Sequence, residues 1–312
     1  MPELPEVETV RRGLEKLIVG RKISSIDVLN EKSFQDKNGE ILPVNASEVQ
    51  KNLLGAKIIA ARRRAKVLMI DLDTKYSLVI HLKMTGQIVF RGDENWGGGH
   101  PTESFVANLP DKSTRIIFHF NDQTNLFFND QRKFGWIKFM PKCEIENLKF
   151  IKKLAPEMSD FRENSQQDLG EKIDKKVFDE FIKRARKHNN SPVKSVILNQ
   201  EVVAGIGNIY ADESLWSAKI HPATRVKNLN DETLQEVLTQ AKIAMEKSLA
   251  AGGSTMKNYI KADGSRGDYL ETFANVFAKN GESCPRCGDQ IIKIKVAGRG
   301  THLCPTCQKE IK

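Results

Sequence analysis

A proline at position 2 followed by Glu3 is the residue pair in this chain best suited to covalent chemistry. Once an initiator Met is trimmed, Pro2 becomes a secondary amine at the end of the polypeptide. An α-amino group has a pKa near ~8, about two units below lysine, so a useful fraction is unprotonated at neutral pH. Such an amine attacks an electrophilic carbon and forms an iminium, the activated-nucleophile logic of Schiff-base enzymes. Glu3, next in line, is placed to move protons for it. Read alone, the same residues also fit an ordinary chain start in which Pro5 sits in the first turn of a helix. The rest of the chain decides between the two.

The second set with chemistry in its spacing is at the other end. Four of the five cysteines form Cys284-Pro-Arg-Cys287 and Cys304-Pro-Thr-Cys307, with sixteen residues between the pairs. Each Cys-x-x-Cys turn presents two thiolates to one tetrahedral Zn²⁺, and two such turns close the site. Four protein ligands leave no open position, so the ion expected here is a single structural Zn²⁺. A disulfide framework does not suit a chain without an export signal. Residues 291–296 and 301–303, with Gly298 and Gly300 around Arg299, predict a β-hairpin held by the metal. Cys143, left over, reads as a small packed side chain.

These groups must be positioned by two kinds of element. Val7, Val10, Leu14 and Leu17 recur at helical spacing and predict an amphipathic helix over 6–18. Between about 56 and 140 the pattern changes to short runs rich in β-branched and aromatic residues, at 67–70, 76–82, 115–120, 125–128 and 134–139. That pattern predicts antiparallel strands in a sandwich or barrel. The Gly-rich interruption 92–101 reads as a long mobile loop. After the polar stretch 157–174 the period becomes helical, with candidate helices at 175–187, 192–200, 209–219 and 231–250, the last stopped by Gly252-Gly253. Gly205-Ile206-Gly207-Asn208 reads as a tight turn opening the third of these. Asn208 is its expected cap, at a helix N-terminus suited to phosphate.

Bulk properties narrow the partners. A chain of 312 residues with 39% hydrophobic content suits two or three domains with a sizeable core. No apolar run approaches a membrane span, and no signal-peptide core is seen, so an intracellular protein is expected. The net charge of +9 points to a polyanion, and the absence of a basic amphipathic anchor puts nucleic acid ahead of a membrane. Lys57, Arg62, Arg63, Arg64 and Lys66 place five positive charges in ten residues, which read as phosphate contacts or a solvated face.

Six segments in order carry a resemblance: residues 1–10; Arg63-Arg64-Ala65-Lys66; His81-Leu82-Lys83-Met84-Thr85-Gly86; Asp130-Gln131-Arg132-Lys133-Phe134-Gly135; Val202-Val203-Ala204-Gly205-Ile206-Gly207-Asn208-Ile209-Tyr210; and the four-cysteine finger. Together they resemble bacterial formamidopyrimidine-DNA glycosylase, the Fpg branch of the Fpg/Nei family, over nearly the whole chain. The resemblance implies a multidomain α+β fold. Its parts would be an N-terminal β-sandwich with an N-terminal helix (1–140), a linker (141–174), a helix–two-turns–helix domain (175–278) and a zinc-finger β-hairpin (279–312). It implies base excision repair: removal of oxidised purines such as 8-oxoguanine and ring-opened formamidopyrimidines, then β,δ-elimination at the abasic site. The implied partner is damaged double-stranded DNA, with no membrane, for a monomer working in the bacterial cytoplasm or nucleoid.

Roles follow from the same resemblance. Pro2 displaces the base and forms the imine with the opened sugar, with Glu3 as proton donor and shuttle. Glu6 fits equally a carboxylate at a helix N-terminus. The family match singles out Lys66 as a proton donor in β-elimination that also contacts a phosphate. Arg299 is assigned phosphate binding at the lesion and a part in δ-elimination. Base flipping leaves a gap in the stack. Met84 and Phe134 would fill it as apolar wedges, and Arg132 would bond the orphaned opposite base. On burial tendencies alone Met84 and Phe134 read as core, while the neighbouring Gly86, Gly135 and Arg132-Lys133 favour loop tips. Asn208, assisted by Lys194, is the implied phosphate ligand of the helical domain, and 264–268 matches a loop over the damaged base.

Three departures stand out: Gln131 where the family usually has proline, Ser113 where a DNA-contacting histidine is common, and Asn189 near a usual lysine or arginine. Two other readings fit part of the pattern. An oxidised-pyrimidine glycosylase of the Nei branch is one, against which Leu4-Pro5 and the Met84/Arg132/Phe134 set argue. A non-enzymatic zinc-finger DNA-binding protein is the other; it would need none of Pro2, Glu3 and Lys66.

Overall fold

The computed structural model describes residues 2–100, 102–158, 173–252 and 274–311. The described residues divide into two compact units, the first built on 2–152 and the second on 153–251 and 274–311.

The first unit starts with helix α1 (Leu4–Ile18), two residues earlier than the apolar period alone predicts. A reciprocal capping box sets that start: the Glu3 carboxylate accepts from the backbone of Glu6, and the Glu3 N–H donates to Glu6 Oε2 at 2.7 Å. Pro5 sits in the first turn, where its missing N–H costs nothing. Val7, Val10, Leu14 and Ile18 are fully buried along one face.

Ten strands follow, interrupted by α2 (Ser47–Asn52). They are β1 (Ile23–Val28), β2 (Phe34–Gln35), β3 (Ile58–Arg64), β4 (Val67–Leu72), β5 (Tyr76–His81), β6 (Gly86–Arg91), β7 (Asn95–Gly99), β8 (Thr114–Phe120), β9 (Asn125–Asp130) and β10 (Trp136–Pro141). They form two separate five-stranded sheets, ordered β1-β8-β9-β6-β7 and β2-β10-β5-β4-β3. Every pairing is antiparallel except the short β2–β10 contact. The fold is therefore a sandwich and not a barrel. Phe34, Phe90, Phe118, Phe128 and Phe139 fill its centre with α1 residues. Both sheets are also covered outside: Val89, Ile117 and Phe127 pack with Phe105, and Met69, Val79 and Met140 with Ile145 and Ile151. Burial on both faces is why these strands read as near-continuous apolar runs. α3 (Lys149–Lys152) closes the unit.

Two expectations need correction here. The stretch 92–101 contains an edge strand, β7, rather than a long loop. Its glycines serve close packing: a Cβ on Gly98 would lie 2.6 Å from Trp96 and 2.7 Å from Val10, and one on Gly13 of α1 would lie 2.2 Å from Trp96. Removing side chains lets α1 and the buried Trp96 approach the strand backbone, so glycine here marks contact and not flexibility. Cys143 is exposed rather than packed.

A buried carboxylate fastens α1 to the sheet. Glu8, 2% exposed, bonds Arg11 at 2.9 Å, Arg12 at 3.0 Å and Arg63 of β3 at 2.9 Å. Burial works to raise its pKa, but the bonds from Arg11 and Arg63 outweigh that and leave it below the ordinary 4.5.

The second unit carries α4 (Lys175–Ala185), α5 (Val193–Ile197), α6 (Asn208–Ser217) and α7 (Asp231–Ala250). Asp174 caps α4 by accepting from Lys176 N at 2.6 Å, and Asn230 caps α7 by accepting from Thr233 N at 2.9 Å. The unit ends in a hairpin of β11 (Ile292–Val296) and β12 (Arg299–Leu303), turned through Ala297 and Gly298, both left-handed. The four finger cysteines bring their Sγ atoms within 4.8 Å of one another, with Cys284–Cys307 at 3.9 Å and Cys287–Cys304 at 3.4 Å. Tetrahedral Zn–S bonds of about 2.3 Å require S···S edges of about 3.8 Å, so the cluster fits the ion. Four thiolates gathered this closely repel one another and coexist only around a cation. Trp216 of α6 seats the finger through Nε1–H···Sγ of Cys284 at 3.4 Å.

Chelation of zinc is expected to abolish hydrogen-exchange protection in 284–308 while leaving the sandwich strands protected; equal protection with and without metal would refute a structural ion. Replacing Glu8 by Gln should cost about 3 kcal/mol at pH 7, because it leaves buried guanidinium groups without their counter-charge. A depressed carboxylate contributes stability that is present above pH 4.5 and lost as pH falls through its folded value. Acid unfolding followed by circular dichroism should therefore be less steep in E8Q than in the parent below that pH.

Candidate active site and nucleic-acid interface

Pro2 and Glu3 are buried at the N-terminus of α1, where the capping box fixes the Glu3 backbone and engages its carboxylate. Glu6 takes the role of helix-end carboxylate. Lys66, 8% exposed, sits in the two-residue turn between β3 and β4, beside Ala65 at φ 49°. Arg63, held by Glu8, donates from Nη1 to Ala65 O at 3.2 Å. One ion-pair chain thus braces both α1, which begins at the amine, and the turn that carries the lysine.

Lys66 also acts on His81, at the end of β5. Burial first, then the charges of Lys83 and Lys66, push the imidazole down to about 3, so it is neutral at physiological pH. Its Nδ1 accepts the Lys83 N–H at 3.0 Å, which leaves the ring proton on Nε2. The ring packs against Trp136 with centroids 5.7 Å apart.

The two wedge candidates lie on loop tips, not in the core. Met84 is 37% exposed and Phe134 53%. Each follows a left-handed lysine, Lys83 at φ 52° and Lys133 at φ 59°, and each turn closes on a glycine. A Cβ on Gly86 would fall 2.3 Å from Leu82 O, and one on Gly135 2.8 Å from Phe128. Exposed Arg132 lies over the Phe134 ring, 4.9 Å from its centroid. Gln131, where the proline is missing, is exposed beside it. Ser113 is buried, and its hydroxyl and N–H are taken by Asp111 at 2.6 and 2.7 Å. It cannot replace a surface histidine.

In the second unit Gly207 is the N-cap of α6 and Asn208 its first residue, a one-position shift from the expected cap. Asn208 Nδ2 donates to Gly300 O at 3.0 Å. Lys194 is wholly buried. It pairs with Asp212 at 2.6 Å and donates to Thr301 Oγ1 at 2.8 Å and Gly300 O at 3.1 Å. Asp212 also receives the His302 N–H at 2.9 Å. These bonds gather α5, α6 and β12 beneath exposed Arg299. Asn189 is exposed, and Arg186 before it is occupied by Val226 O, Leu229 O and Asp231. Residues 264–268 and most of the polar stretch 157–174 lie outside the described residues.

Sequence reasoning missed the supports: Glu8, His81, Thr85, Asp130 and Asp212. Each is a polar residue whose partner is remote in sequence or set by backbone geometry. The only available signal was a charge or hydroxyl interrupting an apolar or glycine-bounded run.

Comparison with known proteins bears on all of this. Residues 1–137 match the formamidopyrimidine-DNA glycosylase N-terminal domain, residues 169–259 the H2TH domain of the same enzyme, and residues 281–309 the zinc finger found in FPG and IleRS. A formamidopyrimidine-DNA glycosylase of Streptococcus thermophilus is 37% identical over 311 residues, covering 99% of this chain and 100% of that protein. The Lactococcus lactis Fpg solved with DNA containing an abasic site superposes with a TM-score of 0.80 at 32% identity, over 99% of this chain and 100% of the other. A MutM solved with DNA containing carbocyclic 8-oxo-G gives 0.79 at 32% identity over the same shares. With three domain matches in order and full-length likeness in sequence and fold, the chain belongs to the formamidopyrimidine-DNA glycosylase family.

Proposed function

We propose that this glycosylase is bifunctional, excising oxidised purines, 8-oxoguanine and formamidopyrimidines, and then cleaving the abasic strand. The observation that carries the reading is the buried Pro2–Glu3 pair at the capped start of α1, braced through Glu8 and Arg63 to the turn holding Lys66. A binding protein has no use for that brace.

In this mechanism the processed Pro2 nitrogen attacks C1′ of the extruded nucleotide. The C1′–N bond to the base breaks, and Glu3 supplies the proton that opens the sugar ring. The resulting iminium acidifies the C2′ hydrogen. Glu3, left as a carboxylate, takes up that proton as shuttle, the C3′–O bond breaks and the 3′-phosphate leaves, with Lys66 as proton donor in the elimination. A second elimination releases the 5′-phosphate, assisted by Arg299. Met84 and Phe134 occupy the vacated stack and Arg132 bonds the opposite base. Asn208 contributes a phosphate contact, while buried Lys194 serves the site through the hairpin under Arg299. The zinc ion holds the hairpin and takes no part in bond making. The protein acts as a monomer on duplex DNA in the bacterial cytoplasm; no helix among the described residues is long and apolar enough to cross a membrane.

Borohydride is expected to trap a covalent complex between the processed, untagged protein and an 8-oxoguanine duplex, and Pro2→Gly should lower the yield roughly tenfold or more. Trapping that survives complete acetylation of the terminus would move the nucleophile to a lysine. An oxidised-pyrimidine duplex should be processed more slowly than the oxidised purine; the reverse order would favour the Nei-type reading. Affinity measured against salt should fall with a log–log slope of about −4 to −5 if roughly five phosphates are neutralised. A flat titration would be incompatible with this footprint.

A further inference from the structure

We propose that Thr85 and Asp130 are positioning residues that yoke the Met84 turn to the Arg132–Phe134 turn, so that both enter DNA as one unit and extrusion of the lesion is coupled to reading of its partner base. The inference rests on the reading above, in which Met84, Arg132 and Phe134 fill the gap left by the flipped nucleotide.

The geometry is confined to one buried carboxylate and one hydroxyl. Asp130 ends β9 and is wholly buried. Its Oδ1 receives the Thr85 hydroxyl and, at 3.2 Å, the Arg132 N–H. Its Oδ2 receives the Gly135 N–H at 2.6 Å. Thr85 Oγ1 in turn accepts from the Arg132 N–H at 3.0 Å. Each group bound is therefore a probe residue itself or its immediate neighbour: Thr85 follows Met84, Arg132 is the polar probe, and Gly135 follows Phe134. Behind the carboxylate, Arg115 Nε donates to Asp130 O at 2.7 Å and Asp130 N donates to Ser113 O at 2.8 Å, which pins the strand end.

Bonds to a buried charged acceptor are roughly twice as strong as neutral ones and lose their worth if one partner is removed. Turns built on left-handed lysines have no regular ladder of their own. Backbone pairing fixes their ends, Gly86 against Asp130 and His81 against Trp136, and beyond those pairs the side chains that cross between the turns are Thr85 and Asp130. Gly135 must be glycine partly for this reason, since a Cβ there would lie 3.1 Å from Asp130 Oδ2.

Thr85→Val removes the hydroxyl at constant volume, and Thr85→Ser keeps it. Three readouts separate a positioning role from a merely structural one. They are lesion extrusion followed by 2-aminopurine fluorescence, single-turnover excision of 8-oxoguanine opposite C and opposite A, and borohydride trapping at a preformed abasic site, where no base is extruded. T85V should slow extrusion and excision roughly tenfold, the worth of about one such bond. It should also bring the C-to-A ratio closer to one and reduce abasic-site trapping far less, with T85S restoring all three. Asp130→Asn, which keeps the size and one acceptor, should repeat the T85V pattern and serves if T85V does not fold. Parental excision and selectivity in T85V, a T85S as defective as T85V, or an equal loss in all three readouts in both T85V and D130N would overturn the coupling. Failure of the parent to trap at any site would instead remove the glycosylase–lyase reading itself.

Discussion

The proposed use of the terminal amine as a nucleophile requires a chain end held still, and a buried carboxylate supplies that restraint. Glu8 faces three guanidinium groups, one of them from the neighbouring sheet. Without it α1 would rest on the sandwich mainly by apolar contact, with one exposed ion pair from Lys16 to Glu94. The same carboxylate reaches Lys66 through Arg63 and the Ala65 carbonyl. Buried ion pairs add little net stability compared with apolar replacements. Their value here is directional, because they orient the helix start and the lysine turn together.

The sandwich solves a second problem, which is how to expose apolar probes without dissolving the core. The interiors of β5, β6, β9 and β10 are buried on both faces, so the exposed Met84 and Phe134 stand where those strands end. Left-handed residues at Lys83 and Lys133 turn the chain sharply there, and Gly86 and Gly135 let it return against neighbouring backbone and ring. The hairpin of the second unit uses the same device at Ala297 and Gly298, just before Arg299. In each case a rigid sheet delivers one or two side chains at a tip.

What the residues disclosed before the fold was known follows the range of the interaction. The zinc knuckles were legible because four ligands and their spacing are local, and α1 because its period is. The identity of 92–101 was not, since glycine signals a loop unless the closely packed partner, here Trp96 with α1, is known. Nothing in the neighbourhood of Lys194 announces that Asp212 and a β12 carbonyl hold its ammonium group. The supports of the probe turns were equally silent: a single Asp at a strand end and a Thr beside a Met acquire meaning only when β6 and β9 pair.

The charge count shows the same limit from another side. A net charge of +9 suggests a broad basic surface, yet many of the chain's cations already have folded partners. In the densest run, Arg62 is bound to Asp71 at 2.5 and 3.0 Å and Arg63 to Glu8. Elsewhere Arg11 and Arg12 are bound to Glu8, Arg186 to Asp231 and backbone carbonyls, and Lys194 to Asp212. A cation committed to a folded partner releases no counterion when DNA arrives, so it adds nothing to the salt slope. The cations left to meet phosphate are therefore fewer than the 49 lysines and arginines of the chain. That suits the proposed reaction, in which one nucleotide is held out of the stack, better than a coat along the duplex.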